Sequence, residues 1–142
     1  MRNIDKIIVH CSDSEFGDAA VIDRWHRERG WKGIGYHYVI LNGEREKGKY
    51  RAEDNGLIEA GRPVDEVGAH CKGHNDGSIG ICLIGRRLFT AEQLCVSLPA
   101  LLNDLRGRFD IRSVYGHCQL DRGKTCPNFD VDVYCSVFRR DI

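Results

Sequence analysis

The apolar positions of this chain change period several times, and each change marks an element. Lys6 to His10 is a short apolar run with β-branched residues, which predicts a strand ending at the polar triplet His10-Cys11-Ser12. Asp18 then precedes a stretch with Val21, Ile22 and Trp25 on one helical face. It predicts a capped helix from Ala19 to about Arg29, stopped at Gly30. Gly35 to Leu41 reads as a second strand and Asn42-Gly43 as a tight turn after it. The charged stretch Glu44 to Asp54 predicts a protruding ribbon or loop. Asn55-Gly56 reads as another turn, with strand resuming from Leu57 to Ala60.

Ser78 to Ile84 is almost continuously apolar and predicts a buried central strand. Thr90 and Gln93 have the spacing of a capping box. The helix they open should run to about Arg108 with Leu94, Leu98, Leu101, Leu102 and Leu105 inside. Pro99 falls within that span, where it should kink the helix or cost it one backbone bond. Ile111 to Tyr115 predicts a last short strand leading to Gly116-His117, and Asp130 to about Phe138 a closing helix. Interleaved strands and helices predict an α/β fold with a mixed sheet. With no repeat or linker, the expectation is a single domain over residues 1–142.

Composition narrows the function classes. The chain has 142 residues, 42% hydrophobic and 30% charged, as soluble globular domains do. Its 21 basic and 21 acidic residues cancel, which argues against a general nucleic-acid binder while leaving a local basic patch open. No apolar stretch approaches the ~18 residues of a membrane span. The opening MRNIDKIIVHCS lacks the apolar core of a secretory signal, so synthesis in the cytoplasm is expected. Seven cysteines, an odd number, fit packed free thiols better than a disulfide framework.

Three residues stand out chemically. His10 and His117 each follow a strand, and Cys126 lies in the Gly- and Pro-flanked loop GKTCPNFD. Two imidazoles and a thiolate suit zinc, and three protein ligands leave the fourth tetrahedral position open, the catalytic arrangement. Spacing alone leaves other readings standing. His10 is equally a core histidine and Cys126 an inert thiol, and no HExxH is present. Cys11 and Cys118 are alternative ligands, although alternation along a strand opposes His10 and Cys11 facing one metal. Tyr36 reads first as a half-buried strand tyrosine and Lys124 as a solvated loop charge.

Six segments change that balance: IIVHCS at 7–12, RWHRERGW at 24–31, GIGYHYVI at 33–40, IEAGRP at 58–63, VGAHCKGHNDGSIGICLIG at 67–85 and GHCQLDRGKTCPNFDV at 116–131. In this order they resemble the N-acetylmuramoyl-L-alanine amidase family, the zinc amidases of the phage T7 lysozyme and peptidoglycan-recognition-protein type. The resemblance implies a central mixed sheet flanked by helices, with one zinc ion in a surface groove. It implies His10, His117 and Cys126 as metal ligands, Tyr36 and Lys124 as catalytic residues, and His70 and Asn75 in the stretch lining the substrate groove. The implied reaction is hydrolysis of the amide joining N-acetylmuramic acid to L-alanine in peptidoglycan. The implied role is a phage or prophage lysis enzyme that acts on the wall after release from the cytoplasm. No membrane insertion is expected, and nothing in the sequence supports or excludes a regulatory protein partner.

The match has departures. Many relatives carry an acidic residue soon after the second histidine, where this chain has Cys118-Gln119, so Asp121 or a backbone carbonyl must serve the imidazole instead. Glu44 to Asp54 is longer than the usual turn, either a groove wall or decoration. Two other functions compete. Non-catalytic peptidoglycan-binding members lack the cysteine ligand, so Cys126 together with Tyr36 and Lys124 favours an enzyme. A cysteine hydrolase using Cys126 with His117 would need neither His10 nor metal.

Overall fold

The strands are β1 (Lys6–Cys11), β2 (Tyr38–Glu46), β3 (Lys49–Ala60), β4 (Ser78–Leu83) and β5 (Ser113–Gly116). In the computed structural model, which describes residues 2–138, they form one sheet in the order β3-β2-β4-β1-β5. β1 lies parallel to both β4 and β5, β2 is parallel to β4, and only β3 runs antiparallel, against β2. The fold is therefore α/β with a mixed sheet. β4 sits at its centre with every residue buried, as its unbroken apolar run requires.

Two apolar layers cover the two faces. On one, Ile7 and Val9 of β1 and Ile79, Ile81 and Leu83 of β4 pack on Leu98, Leu101, Leu102, Leu105 and Val131. The first four belong to α2 (Leu98–Arg108), and Val131 opens α4 (Val131–Phe138). On the other face, Val39, Leu41, Cys82 and Ile84 meet Ile34 and Ile22, the latter from α1 (Ala19–Glu28). Burying such a side chain is worth roughly 1.5–3 kcal/mol, so these layers dominate the stability. His10 has the same parity along β1 as the residues of this second face, which places it under the α1 side of the sheet.

Local chemistry sets the helix starts. Asp18 caps α1 by accepting from the Val21 amide at 2.8 Å. Asp18, Asp54 and Glu59 converge on Arg45, at 3.0, 3.1 and 3.0 Å, which ties α1 to the β2–β3 hairpin. The Thr90–Gln93 capping box forms in both directions: Gln93 donates its amide to Thr90 Oγ1 and accepts from the Thr90 amide. The Gln93 carboxamide also donates to the carbonyls of Ile40 and Ile84, so this buried residue caps the β2–β4 pairing at its last pair, Ile40↔Leu83. The box opens a π-helical segment, Glu92–Ser97, that becomes α-helical at Leu98. Pro99 then occupies the first turn of α2, where a missing N–H is tolerated, so the expected conflict is resolved by the change of helix type.

The hairpin differs from the sequence expectation. Asn42-Gly43 and Asn55-Gly56 are not turns; β2 and β3 run through both, and the chain reverses at Lys47-Gly48. Asn42 pairs with Asn55, with register shifts on either side. Gly43 and Gly56 supply the positive φ (+100° and +84°) that such bulges use. The dipeptide signal is real but serves two bulges in one long ribbon. β2 also starts at Tyr38 rather than at residue 35, which leaves Gly35 to His37 as an irregular bridge along the site.

Candidate metal centre

β1 and β5 are neighbouring parallel strands in the register Val9↔Gly116. His10 and His117 therefore emerge side by side at the same, C-terminal, edge of the sheet. His117 opens a one-turn helix, α3 (His117–Leu120), which was not anticipated from the sequence. The loop after α3 folds back: the Cys118 amide donates to the Cys126 carbonyl at 2.9 Å and the Cys11 amide to Cys126 Sγ at 3.3 Å. Backbone bonds thus hold the thiol over the two strand ends.

The ligand atoms of His10, His117 and Cys126 all lie within 4.8 Å of one another. The edges of the triangle are 3.1 Å between the two Nδ1 atoms, and 3.9 and 3.8 Å from Sγ to His10 and His117. A tetrahedral zinc ion with bonds of roughly 2.0–2.1 Å to nitrogen and 2.3 Å to sulfur separates such donors by about 3.3 and 3.6 Å. The three residues fit that ion. Among the described residues this is the one such cluster, and neither Cys11 nor Cys118 belongs to it. Cys118→Ser should accordingly retain zinc and hydrolytic rate to within about twofold. Loss of bound metal in that variant, read by elemental analysis, would move the thiol ligand from Cys126 to Cys118.

The electrostatics suit a cation. Desolvation by burial, then the neighbouring His70 and His117, hold His10 well below the ordinary imidazole pKa. Burial also lowers His117, with Asp121 working against it. Both imidazoles thus keep lone pairs at neutral pH. The adjacent Cys11 thiol and burial push the Cys126 thiol up, a cost that a bound divalent cation would reverse by favouring the thiolate. Asp121 Oδ2 lies 3.9 Å from His117 Nε2, which makes it the acidic neighbour that the sequence lacked directly after His117.

Tyr36 packs its ring 5.0 Å from that of His10, and burial raises its hydroxyl pKa well above the ordinary value. The phenol keeps its proton at any working pH. Lys124 is exposed on the loop before Cys126, tied by its amide to the Asp121 carbonyl at 3.0 Å. His70 lies behind His10 rather than at the surface, with Nδ1 2.9 Å from His10 Nε2. Asn75 accepts from the amides of His70 and Cys71 at 2.9 Å each, so its carboxamide oxygen shapes the 70–75 loop. Ser78 and Gly80 also belong to this site, and the sequence pattern did not single them out. A small polar residue and a glycine inside an otherwise apolar strand were the available signal of a close approach.

Two further buried histidines make stability pH-dependent. His26 accepts from the Gly35 amide at 3.0 Å and His37 from the Gly80 amide at 3.0 Å. Burial lowers both to about 4. The unfolded imidazoles, near 6.5, bind protons between these values while the folded ones do not. Their contribution is present above about pH 6.5 and is lost as pH falls towards 4. At about 1.4 kcal/mol per unit, the combined loss is on the order of several kcal/mol. Urea midpoints of metal-free protein should fall steeply over that window; a flat profile would contradict the neutral buried pair.

The chain matches the model of the N-acetylmuramoyl-L-alanine amidase family over residues 1–129. It is 34% identical over 141 residues to an endolysin of Enterobacteria phage K11, covering 92% of this chain and 84% of that one. An endolysin of Escherichia phage T7 is 35% identical with the same coverage. Among solved structures, the N-acetylmuramoyl-L-alanine amidase LysC from Clostridium intestinale URNW aligns with a TM-score of 0.82 at 28% identity, over 99% of this chain and 88% of that one. A Drosophila PGRP-LB mutant in complex with tracheal cytotoxin aligns with a TM-score of 0.69 at 25% identity, over 89% of this chain and 76% of that one.

Proposed function

This chain belongs to the N-acetylmuramoyl-L-alanine amidase family, and on that premise we propose that it works with one zinc ion held by His10, His117 and Cys126. It is an amidase that hydrolyses the bond between N-acetylmuramic acid and L-alanine in peptidoglycan, in the manner of a phage endolysin. The observation that carries the zinc assignment is the donor triangle at the ends of β1 and β5, whose edges match tetrahedral zinc to within about 0.3 Å. When bound, the ion would supply a Lewis acid for the scissile carbonyl and would lower the pKa of water towards ~7.

The remaining chemistry belongs to the chain. His10 and His117 stay neutral because they are buried. Tyr36, protonated and beside His10, can donate to the oxygen that gains charge as the amide is attacked. Lys124, on the same loop as Cys126, brings a positive charge to the rim. The donor triangle sits at the C-terminal ends of β1 and β5, with the exposed Lys124 loop beside it, and the wall is its place of action. Among the described residues no helix is long and apolar enough to cross a membrane.

The test is a digest of purified peptidoglycan read by mass spectrometry, with chelator and with zinc restored. Free stem peptides with an L-alanine amino terminus, lost on chelation and regained with zinc, are the expected products. Tight binding with glycan–peptide links intact would make the chain a recognition module. Cleavage that survives chelation would sink the zinc assignment and favour Cys126 as nucleophile.

A further inference from the structure

Behind His10 runs a line of buried polar contacts that can all be hydrogen bonds in one direction only. His10 Nε2 lies 2.9 Å from His70 Nδ1, His70 Nε2 lies 3.3 Å from Ser78 Oγ, and Ser78 Oγ lies 3.1 Å from the Asn75 carbonyl. His10, His70 and Ser78 are 1%, 9% and 0% exposed, so the line lies inside the protein. A carbonyl oxygen can only accept. The Asn75 carbonyl also takes the Ser78 amide at 3.3 Å, but the one hydroxyl proton satisfies both hydroxyl contacts only if Ser78 donates to Asn75 and accepts from His70 Nε2–H. A neutral His70 then has its free lone pair on Nδ1, which must accept from His10 Nε2–H. The Nδ1 atom of His10 is left without a proton, and it is the atom 3.1 Å from His117 Nδ1 and 3.9 Å from Cys126 Sγ.

The fold makes room for this line. A Cβ on Gly80, the residue of β4 beside Ile8, would stand 2.6 Å from the His70 ring. A Cβ on Gly68 would stand 2.7 Å from the same ring. Two glycines thus seat the imidazole edge-on to His10, with ring centroids 4.9 Å apart and planes at 87°. Asn75 bonds the His70 amide and offers the terminal carbonyl, so one loop both holds the ring and sets the direction of the line.

From this direction we infer that His70 is a positioning residue: it holds the proton of His10 on Nε2 and presents the Nδ1 lone pair to the metal position before any metal arrives. The inference deepens the proposed zinc reading and rests on it for its purpose, though not for its geometry. It assigns Ser78 and the Asn75 carbonyl a part in metal affinity despite their distance from the ligands. Partners that orient ligating histidines are usually carboxylates or carbonyls; here a second histidine passes the polarity of a carbonyl along two links.

The experiment uses metal-free full-length protein labelled with ¹⁵N-histidine, with long-range proton–nitrogen correlation spectra at neutral pH. His10 should show a protonated Nε2 and a bare Nδ1; a proton on Nδ1 overturns the inference without any variant. His70→Leu removes the acceptor and should populate the other His10 tautomer and weaken zinc binding about 10- to 100-fold against a chromogenic chelator. His70→Asn, which offers an acceptor near the position of Nδ1, should recover most of that loss. Ser78→Ala serves if His70→Leu does not fold, and a second His10 tautomer should then appear. Unchanged zinc affinity and an unchanged tautomer in a folded His70→Leu protein would overturn the proposal. Wild-type protein that shows the expected tautomer but takes up no zinc would instead sink the metal reading and leave the hydrogen-bond direction standing.

Discussion

Cys126→Ala should bring peptidoglycan hydrolysis to background and cut zinc affinity by at least about 10²- to 10³-fold. On the proposed assignment the thiolate is one of three donors, and structural zinc sites bind with roughly 10–16 kcal/mol in total, so each ligand carries several kcal/mol. Every 1.4 kcal/mol is about tenfold. The loop itself should persist, since its anchor is the Cys118 amide on the Cys126 carbonyl, a backbone bond that alanine keeps. The variant is thus expected to fold and to fail chemically. Thermal unfolding supplies a second reading. A ligand at 100 times its Kd stabilises by about 2.7 kcal/mol, so chelator should lower the wild-type Tm and leave that of Cys126→Ala unmoved. His10→Ala separates mechanisms: a Cys126–His117 nucleophile would survive it, whereas a zinc site would not. Full activity in His10→Ala would end the zinc assignment.

How far the sequence carried this conclusion depends on the range of each signal. The Asp18 cap and the Thr90–Gln93 box were legible because both are closed by residues three apart. The buried β4 was legible from an unbroken apolar run. The Asn-Gly dipeptides misled because a bulge and a turn ask for the same positive φ; only the partner strand decides between them. His10 and His117 could be read as strand-end residues. Nothing local said that β1 and β5 are neighbours, and that adjacency is what brings the two imidazoles together. Cys126 could not be told from Cys118 by spacing; the choice came from a resemblance. The structure keeps them apart by letting Cys118 spend its amide on Cys126 while its thiol stays outside the triangle. The line from His10 to Asn75 was illegible, because its first two links span 60 and 8 residues and the third, over 3 residues, ends on a backbone carbonyl that no side-chain pattern records.

Lys124→Ala should slow turnover about 10²-fold while zinc affinity stays within about threefold, the loss expected when one stabilising group is removed from a developing oxyanion. The separation follows from position. Lys124 is exposed and outside the donor triangle, so it supplies no ligand atom. Its charge does lower His117, but burial is the larger cause, so His117 keeps its lone pair without the lysine. In the free protein the ammonium is screened by water; a glycan strand lying across the rim would exclude that water and strengthen the charge as the carbonyl oxygen becomes negative. The fall should therefore appear in kcat, with KM nearly constant, because an interaction made in the transition state does not weaken ground-state binding. Lys124→Arg should recover part of the rate, since the charge returns with a different shape. Tyr36→Phe is the companion measurement. It removes a proton donor that burial keeps protonated, so its effect should be flat across the neutral range and multiply incompletely with Lys124→Ala if both face one oxygen. A Lys124→Ala protein with wild-type kcat would return that residue to the solvated surface and take away its proposed role.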